Sequence, residues 1–226
     1  MNRIITVLTC ISLTLAGLGQ NVVASDNHKT HGAHKKIRCE GQIANVLGTN
    51  KSDSIVIGDD GTATVNGQLV SFSGPAVVYA GNGNDTVLGG SNDDIVCGGN
   101  GRDHIEGGEG NDTLHGNNGQ DRIYGDFMGH ERACPLDPAS LAAIDCDDTL
   151  FGDNGKDYME GGAGDDDLNG GNGADIIRAG AGSDNIDGGN GKDRCDYSDA
   201  PPAGTLGDHD DLAELEDVPS SECETR

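Results

Sequence analysis

From residue 85 onward an aspartate returns at every ninth position: Asp85, Asp94, Asp103, Asp112 and Asp121, then, after a gap of three periods, Asp148, Asp157, Asp166, Asp175, Asp184 and Asp193. Two residues after each stands Val87, Val96, Ile105, Leu114, Ile123, Leu150, Met159, Leu168, Ile177, Ile186 or Cys195, and glycines hold the other fixed places. A nine-residue unit with one apolar side chain cannot bury a face by itself. It must stack on its neighbours, so the chain becomes a quasi-one-dimensional array rather than a body with one large core. Composition agrees: 38 glycines, 3% aromatics and no Trp leave little material for a globular enzyme of this length.

Units such as Gly98-Gly99-Asn100-Gly101-Arg102-Asp103-His104-Ile105-Glu106 and Gly170-Gly171-Asn172-Gly173-Ala174-Asp175-Ile176-Ile177-Arg178 follow the pattern G-G-x-G-x-D-x-U-x. In these units the chain resembles the RTX, or haemolysin-type, calcium-binding repeat family across residues 80–196. The resemblance implies an all-β fold, a parallel β-roll or right-handed β-helix of nonapeptides, loaded with several calcium ions.

The residues lead to the same place by a physical route. Each unit divides into a six-residue loop and a three-residue strand whose middle side chain points inward. Glycine accepts positive φ, so the loop can turn carbonyl oxygens toward one point, while the sixth-position Asp adds a short anionic arm. The candidate ligands are therefore the eleven aspartates named above together with the fourth-position glycines Gly83, Gly101, Gly110, Gly119, Gly155, Gly164, Gly173, Gly182 and Gly191. All offer hard oxygen. Calcium takes six to eight oxygens, more than one loop supplies, so two loops must share an ion. Units alternate between the two sides of the roll, and loops eighteen residues apart stack, which pairs Asp85 with Asp103 and Asp94 with Asp112. Stacked carboxylates about 5 Å apart repel by about 0.8 kcal/mol in water, and a divalent cation reverses that sign. Binding and folding are expected to be coupled.

Departures from the pattern have local readings. Asn92, Asn117 and Asp153 replace glycines, and Asn also reaches positive φ. The gap between Asp121 and Asp148 preserves the phase if residues 127–146 form an excursion, read as a loop closed by a disulfide. Ahead of the repeats, residues 39–79 form a β cap, with short strands at 55–57, 62–65, 69–72 and 77–79 and turns at Asp59-Asp60-Gly61 and Asn66-Gly67. Residues 48–53 read as a faint extra loop. Residues 197–226 form an acidic cap or tail, with a short helix expected over 208–217.

Residues 1–24, with Arg3, an apolar run over 4–18 and Val22-Val23-Ala24, read as a signal peptide cut after Ala24, and residues 25–38 as a flexible His- and Lys-rich terminus. Six cysteines follow the signal, and in an exported chain they read as disulfides. Proximity pairs Cys134 with Cys146 and Cys195 with Cys223, leaving Cys39 for Cys97, although fifteen connectivities are formally open. A net charge of -25, from 39 acidic and 14 basic residues, opposes nucleic acid and membrane insertion and favours cations. His28, His31 and His34 are read as part of a solvated terminus rather than a zinc or copper site. There is no zinc-protease His-Glu-x-x-His, Gly-x-Ser-x-Gly elbow or phosphate loop, so no enzyme is expected. The expectation is a secreted, non-enzymatic calcium-binding protein in a structural or interaction role. The alternative is a non-catalytic accessory or adhesion module, with any protein or polysaccharide partner unknown.

Overall fold

The computed structural model describes residues 36–127 and 146–196, the backbone of Val22–Val23, and Cys223. Among these residues there is no helix. Two parallel sheets face each other across a thin core and climb together through about six turns of a β-solenoid. The larger sheet runs through Val46–Leu47, Val77–Asn82, Ile95–Gly101, Thr113–Gly119, Thr149–Phe151, Asp167–Asn169 and Asn185–Asp187. The other runs through Ser54–Gly58, Thr86–Leu88, His104–Glu106, Arg122–Tyr124, Tyr158–Ala163, Ile176–Ala181 and Arg194–Asp196. Successive repeats alternate between the sheets, so one coil is two nonapeptides.

The register is the eighteen-residue stacking that the repeat implies. Val96 lies between Val78 and Leu114, and Ile105 between Val87 and Ile123. Across the excursion the step becomes thirty-six: Leu114 pairs with Leu150 and Ile123 with Met159. The phase therefore survives. Between its described ends Phe127 and Cys146, the excursion, with Cys134, lies outside the described residues, although Cys146 is disulfide-bonded.

In each three-residue strand the middle side chain faces the core, because alternate side chains point to opposite faces. Val87, Val96, Ile105, Leu114, Ile123, Leu150, Met159, Ile177 and Ile186 are all fully buried. They form one continuous column with Val46, Ile55 and Val78 at one end and Cys195 with Cys223 at the other.

Parallel stacking begins upstream of the regular repeats. Ser54–Gly58 pairs with Thr86–Leu88, and Val46–Leu47 with Val77–Asn82, both at a step of thirty-two residues. Thr62–Val65 and Gln68–Ser71 then add antiparallel strands to the smaller sheet, turning at Asn66 (φ 52°) and Gly67. Val22–Val23, inside the stretch read as a signal peptide, lies parallel to Val46–Leu47 at the border of the larger sheet. A hairpin of Arg38–Cys39 and Gln42–Ile43 is tied to that sheet by the Cys39–Cys97 disulfide. Beside it His115 stacks on Phe151 at 4.4 Å, with its Nδ1 3.1 Å from Asp153 Oδ2. The second described disulfide, Cys195–Cys223, brings the tail back to the last coil, where Cys223 enters the core. The tail's expected helix and the histidines of residues 25–35 lie outside the described residues.

Glycine is required where loops press together. Gly101 has φ 141°, and an added Cβ would overlap the Gly83 carbonyl of the coil beneath. Asn117 (φ 72°) and Asp153 (φ 67°) take the left-handed conformation at positions where most units have glycine, whereas Asn92 is not among the residues of positive φ. Two substitutions separate core from loop. Leu114→Ala should cost about 2–5 kcal/mol, the usual range for a buried leucine. It should leave the register intact, as read by denaturant unfolding with calcium present. Gly101→Ala should instead disrupt stacking locally, seen as lost amide-exchange protection around residues 81–85 and 99–103.

Candidate functional site

Loops gather along the two long edges of the solenoid. One edge carries the loops that end in Asp85, Asp103, Asp121, Asp157, Asp175 and Asp193, and the other those that end in Asp94, Asp112, Asp148, Asp166 and Asp184. All of these aspartates except Asp184, which is half-buried, are almost wholly withdrawn from solvent.

Each carboxylate divides its two oxygens between two tasks. Oδ1 accepts a hydrogen bond from the backbone amide of the aspartate one coil earlier: Asp85 N donates to Asp103 Oδ1, Asp94 N to Asp112, Asp103 N to Asp121 and Asp148 N to Asp166, all at 2.8 Å. The same bond crosses the excursion, from Asp112 N to Asp148 Oδ1 at 2.8 Å and from Asp121 N to Asp157 Oδ1 at 2.7 Å. In Asp94 the second oxygen accepts from Gly90 N at 3.3 Å, but in most units it has no partner. Oδ2 of Asp85, Asp103, Asp112, Asp121, Asp157, Asp166 and Asp175 is buried without a hydrogen bond. A buried carboxylate oxygen left bare is costly unless a cation meets it.

The first-position glycines define where these oxygens point. A Cβ placed on Gly98 would lie 2.6 Å from Asp103 Oδ2 and 3.0 Å from the Gly116 carbonyl oxygen of the next coil. One placed on Gly170 would lie 2.6 Å from the Gly188 carbonyl oxygen and 2.8 Å from Asp175 Oδ2. Gly107, Gly125 and Gly161 face the equivalent pairs on the other edge: Asp112 Oδ2 with the Gly125 carbonyl, Asp148 Oδ2 with Gly161, and Asp166 Oδ2 with Ala179. Each cradle therefore draws oxygens from two stacked loops. Among the described residues no three His, Cys, Asp or Glu side chains converge on one point, so any ion here needs carbonyl oxygens too. Bare carboxylate and carbonyl oxygens suit a hard divalent cation such as calcium.

The fourth-position glycines occupy a neighbouring place. Gly101, Gly119, Gly155, Gly173, Gly182 and Gly191 each stack on the carbonyl of the corresponding glycine one coil earlier, while Gly83 rests on Lys51, Gly110 on Asn92 and Gly164 on Cys146. The sequence reading passed over the first-position carbonyls. It also passed over a row of third-position asparagines on one edge, where Asn82, Asn100, Asn118, Asn154, Asn172 and Asn190 join side chain to side chain. A search at a period of eighteen instead of nine finds that row.

A family model, the RTX calcium-binding nonapeptide repeat, matches residues 72–105, 98–127, 147–168 and 169–199. The chain belongs to the RTX calcium-binding nonapeptide repeat family. RTX nonapeptides bind calcium ions, and the buried aspartates that line this stack accord with that. No curated protein and no solved structure matches the chain.

The first RTX-like loop, residues 48–53, is satisfied differently. Asp53 N donates to Asp85 Oδ1 at 2.8 Å, continuing the relay. Its own Oδ2 accepts from Thr49 N at 2.6 Å and Thr49 Oγ1 at 2.9 Å, and its Oδ1 from Asn66 Nδ2 at 2.5 Å. Protein donors saturate this carboxylate.

Burial raises nine of the repeat carboxyls, Asp103 among them. It pushes Asp85, Asp94 and Asp175 up to about 6, Asp121, Asp157 and Asp166 to about 7, Asp112 to about 8 and Asp148 to about 9, in each case before any cation is present. A carboxyl raised in the fold binds its proton more tightly there than in the unfolded chain. The stability this lends the calcium-free fold is complete below about pH 4 and is lost as pH climbs through about 6 to 9. Calcium-free protein should therefore hold more β structure at pH 4 than at pH 8, measured by circular dichroism in chelator. Equal spectra would contradict the burial of these groups.

Proposed function

We propose that the chain is an exported, non-catalytic protein whose RTX array folds as it takes up several calcium ions, and that it serves a structural or interaction role. The supporting observation is the row of bare, buried Oδ2 atoms, of which those of Asp103, Asp112, Asp121, Asp157, Asp166 and Asp175 each face a carbonyl from the next coil. In this reading the ligands are the repeat aspartates from Asp85 to Asp193, with carbonyl oxygens of the loop glycines, Gly83 to Gly191 among them. Coupling follows from the same feature. Without an ion, each coil stacks another buried carboxylate on the last, and only a single inward side chain per nonapeptide repays the ordering of the loop. The ion supplies the missing favourable contact, so its binding energy is folding energy.

Export is supported by the disulfides Cys39–Cys97 and Cys195–Cys223, since such bonds persist in oxidising compartments. In this reading residues 1–24 are removed after Ala24, taking Val22–Val23 from the border of the larger sheet. Residues 39–79 cap one end of the array, and residues 197–226 return to the other through Cys223.

Circular dichroism and calorimetry test the proposal together. Chelator should abolish most of the β signal at neutral pH, and calcium at the millimolar levels of extracellular sites should restore it with uptake of several ions. Asp103→Asn keeps an acceptor for the Asp85 amide but removes the charge, and should lower the ion count without preventing folding at high calcium. A β spectrum indifferent to thorough chelation would overturn the coupling, and no ion uptake would overturn the function.

A further inference from the structure

Because successive nonapeptides go to opposite edges, any residue type favoured in alternate units is sorted onto one side of the solenoid. Charge is sorted in this way. Beyond the sixth-position aspartates, the edge of Asp94, Asp112, Asp148 and Asp166 bears Asp93, Glu109, Asp126, Asp147 and Asp165, with no Lys or Arg among the described residues of its repeat loops. The opposite repeat loops bear Arg102, Lys156 and Lys192 against a single extra acid, Asp153. The surplus is therefore five negative charges on one edge and two positive on the other.

These fringe groups are held in place. Asp93 Oδ1 accepts from Asn111 N at 3.0 Å, Asp147 Oδ1 from Asp165 N at 2.8 Å, Asp165 Oδ1 from Ser183 N at 2.8 Å, and Asp126 Oδ2 from Ala163 N at 2.9 Å. They act on the cradles beside them. Asp126 repels the carboxylates of Asp112, Asp148 and Asp166, and Asp93 repels those of Asp94 and Asp112, whereas Lys156 attracts that of Asp175. Asp153 repels Asp121 and Asp157 on its own edge, a local exception. Both edges carry bare buried oxygens of the same kind, as Asp112 and Asp166 on one and Asp103 and Asp175 on the other illustrate. On the acidic edge Asp94 Oδ2 also accepts from Gly90 N at 3.3 Å, and the charges around the cradles differ between the edges.

We infer that the two edges are two classes of calcium site, the acidic edge filling first and the edge of Arg102, Lys156 and Lys192 filling at higher calcium. The inference rests on the calcium-binding reading above and deepens it. A unit charge about 7 Å from a divalent ion changes its affinity roughly sevenfold in water, and about twofold once physiological salt screens it. With one or two fringe charges near each cradle, the classes should differ by about ten- to fiftyfold at low salt and converge as salt rises.

Calorimetric calcium titration of the full-length chain at low salt and about pH 9, where proton competition at Asp112 and Asp148 is reduced, tests this with two triple variants. Asp93→Asn, Asp147→Asn and Asp165→Asn together retain the oxygens that accept the backbone bonds while removing three charges, and should weaken the early phase about five- to tenfold. Arg102→Gln, Lys156→Gln and Lys192→Gln together should tighten the late phase about two- to fivefold and leave the early one unmoved. Circular dichroism at saturating calcium checks that each variant folds, and either triple alone suffices to test the assignment. A single phase in the unaltered protein, or both triples moving the same phase, would overturn the two classes while leaving calcium binding intact. Absence of calcium uptake by the unaltered protein would instead remove the reading on which they rest.

Discussion

The bond from each aspartate's amide to the carboxylate of the aspartate one coil later organises the molecule. On one edge it runs from Asp53 through Asp85, Asp103, Asp121, Asp157 and Asp175 to Asp193, and on the other from Ala76 through Asp94, Asp112, Asp148 and Asp166 to Asp184. It sets the register of the loops and orients the side chain. By occupying one oxygen it also directs the other into the cradle. Asp suits the position because it is short and anionic: Glu would overreach, and Asn would present either an oxygen or an amine to each task but not two oxygens. A hydrogen bond to a charged acceptor is also stronger than a neutral one.

Hydrophobic packing plays a secondary part in specificity. The inward column tolerates Val, Leu, Ile, Met and Cys at the same position, and nothing in so narrow a core distinguishes one rung from the next. What keeps Leu114 opposite Leu150, and not opposite a residue nearer in sequence, is the excursion's length in whole periods together with the relay from Asp112 to Asp148. The two ends are handled with other chemistry. At the first rung Thr49 and Asn66 supply donors to Asp53, while at the last a disulfide joins Cys223 to Cys195 within the core column.

Much of this was legible in the residues. The phase of the aspartates yields the β-roll and the eighteen-residue register, and the two described disulfides join cysteines matched from the sequence, Cys195 with Cys223 by proximity and Cys39 with Cys97 as the remaining two. The antiparallel strands of residues 62–71 were visible from their turn residues. Less legible was the depth at which parallel stacking starts, because the step of thirty-two from Asp53 to Asp85 breaks the period and hides a loop that still obeys the relay. The separate duties of Oδ1 and Oδ2 could not be read either, since they depend on which amide lies within reach. The first-position carbonyls were missed because a main-chain group leaves no mark on the sequence. The sorting of side chains between edges was hidden by reading at nine, when the structural repeat is eighteen.

That sorting has an electrical consequence. Beyond the aspartates that both edges share, a rod with surplus acids on one side and surplus cations on the other carries a dipole moment across its short axis, and the moment grows with every coil added in the same sense. Such a body meets a charged surface or a polyelectrolyte with a bias in angle, its more acidic side turned away from anions.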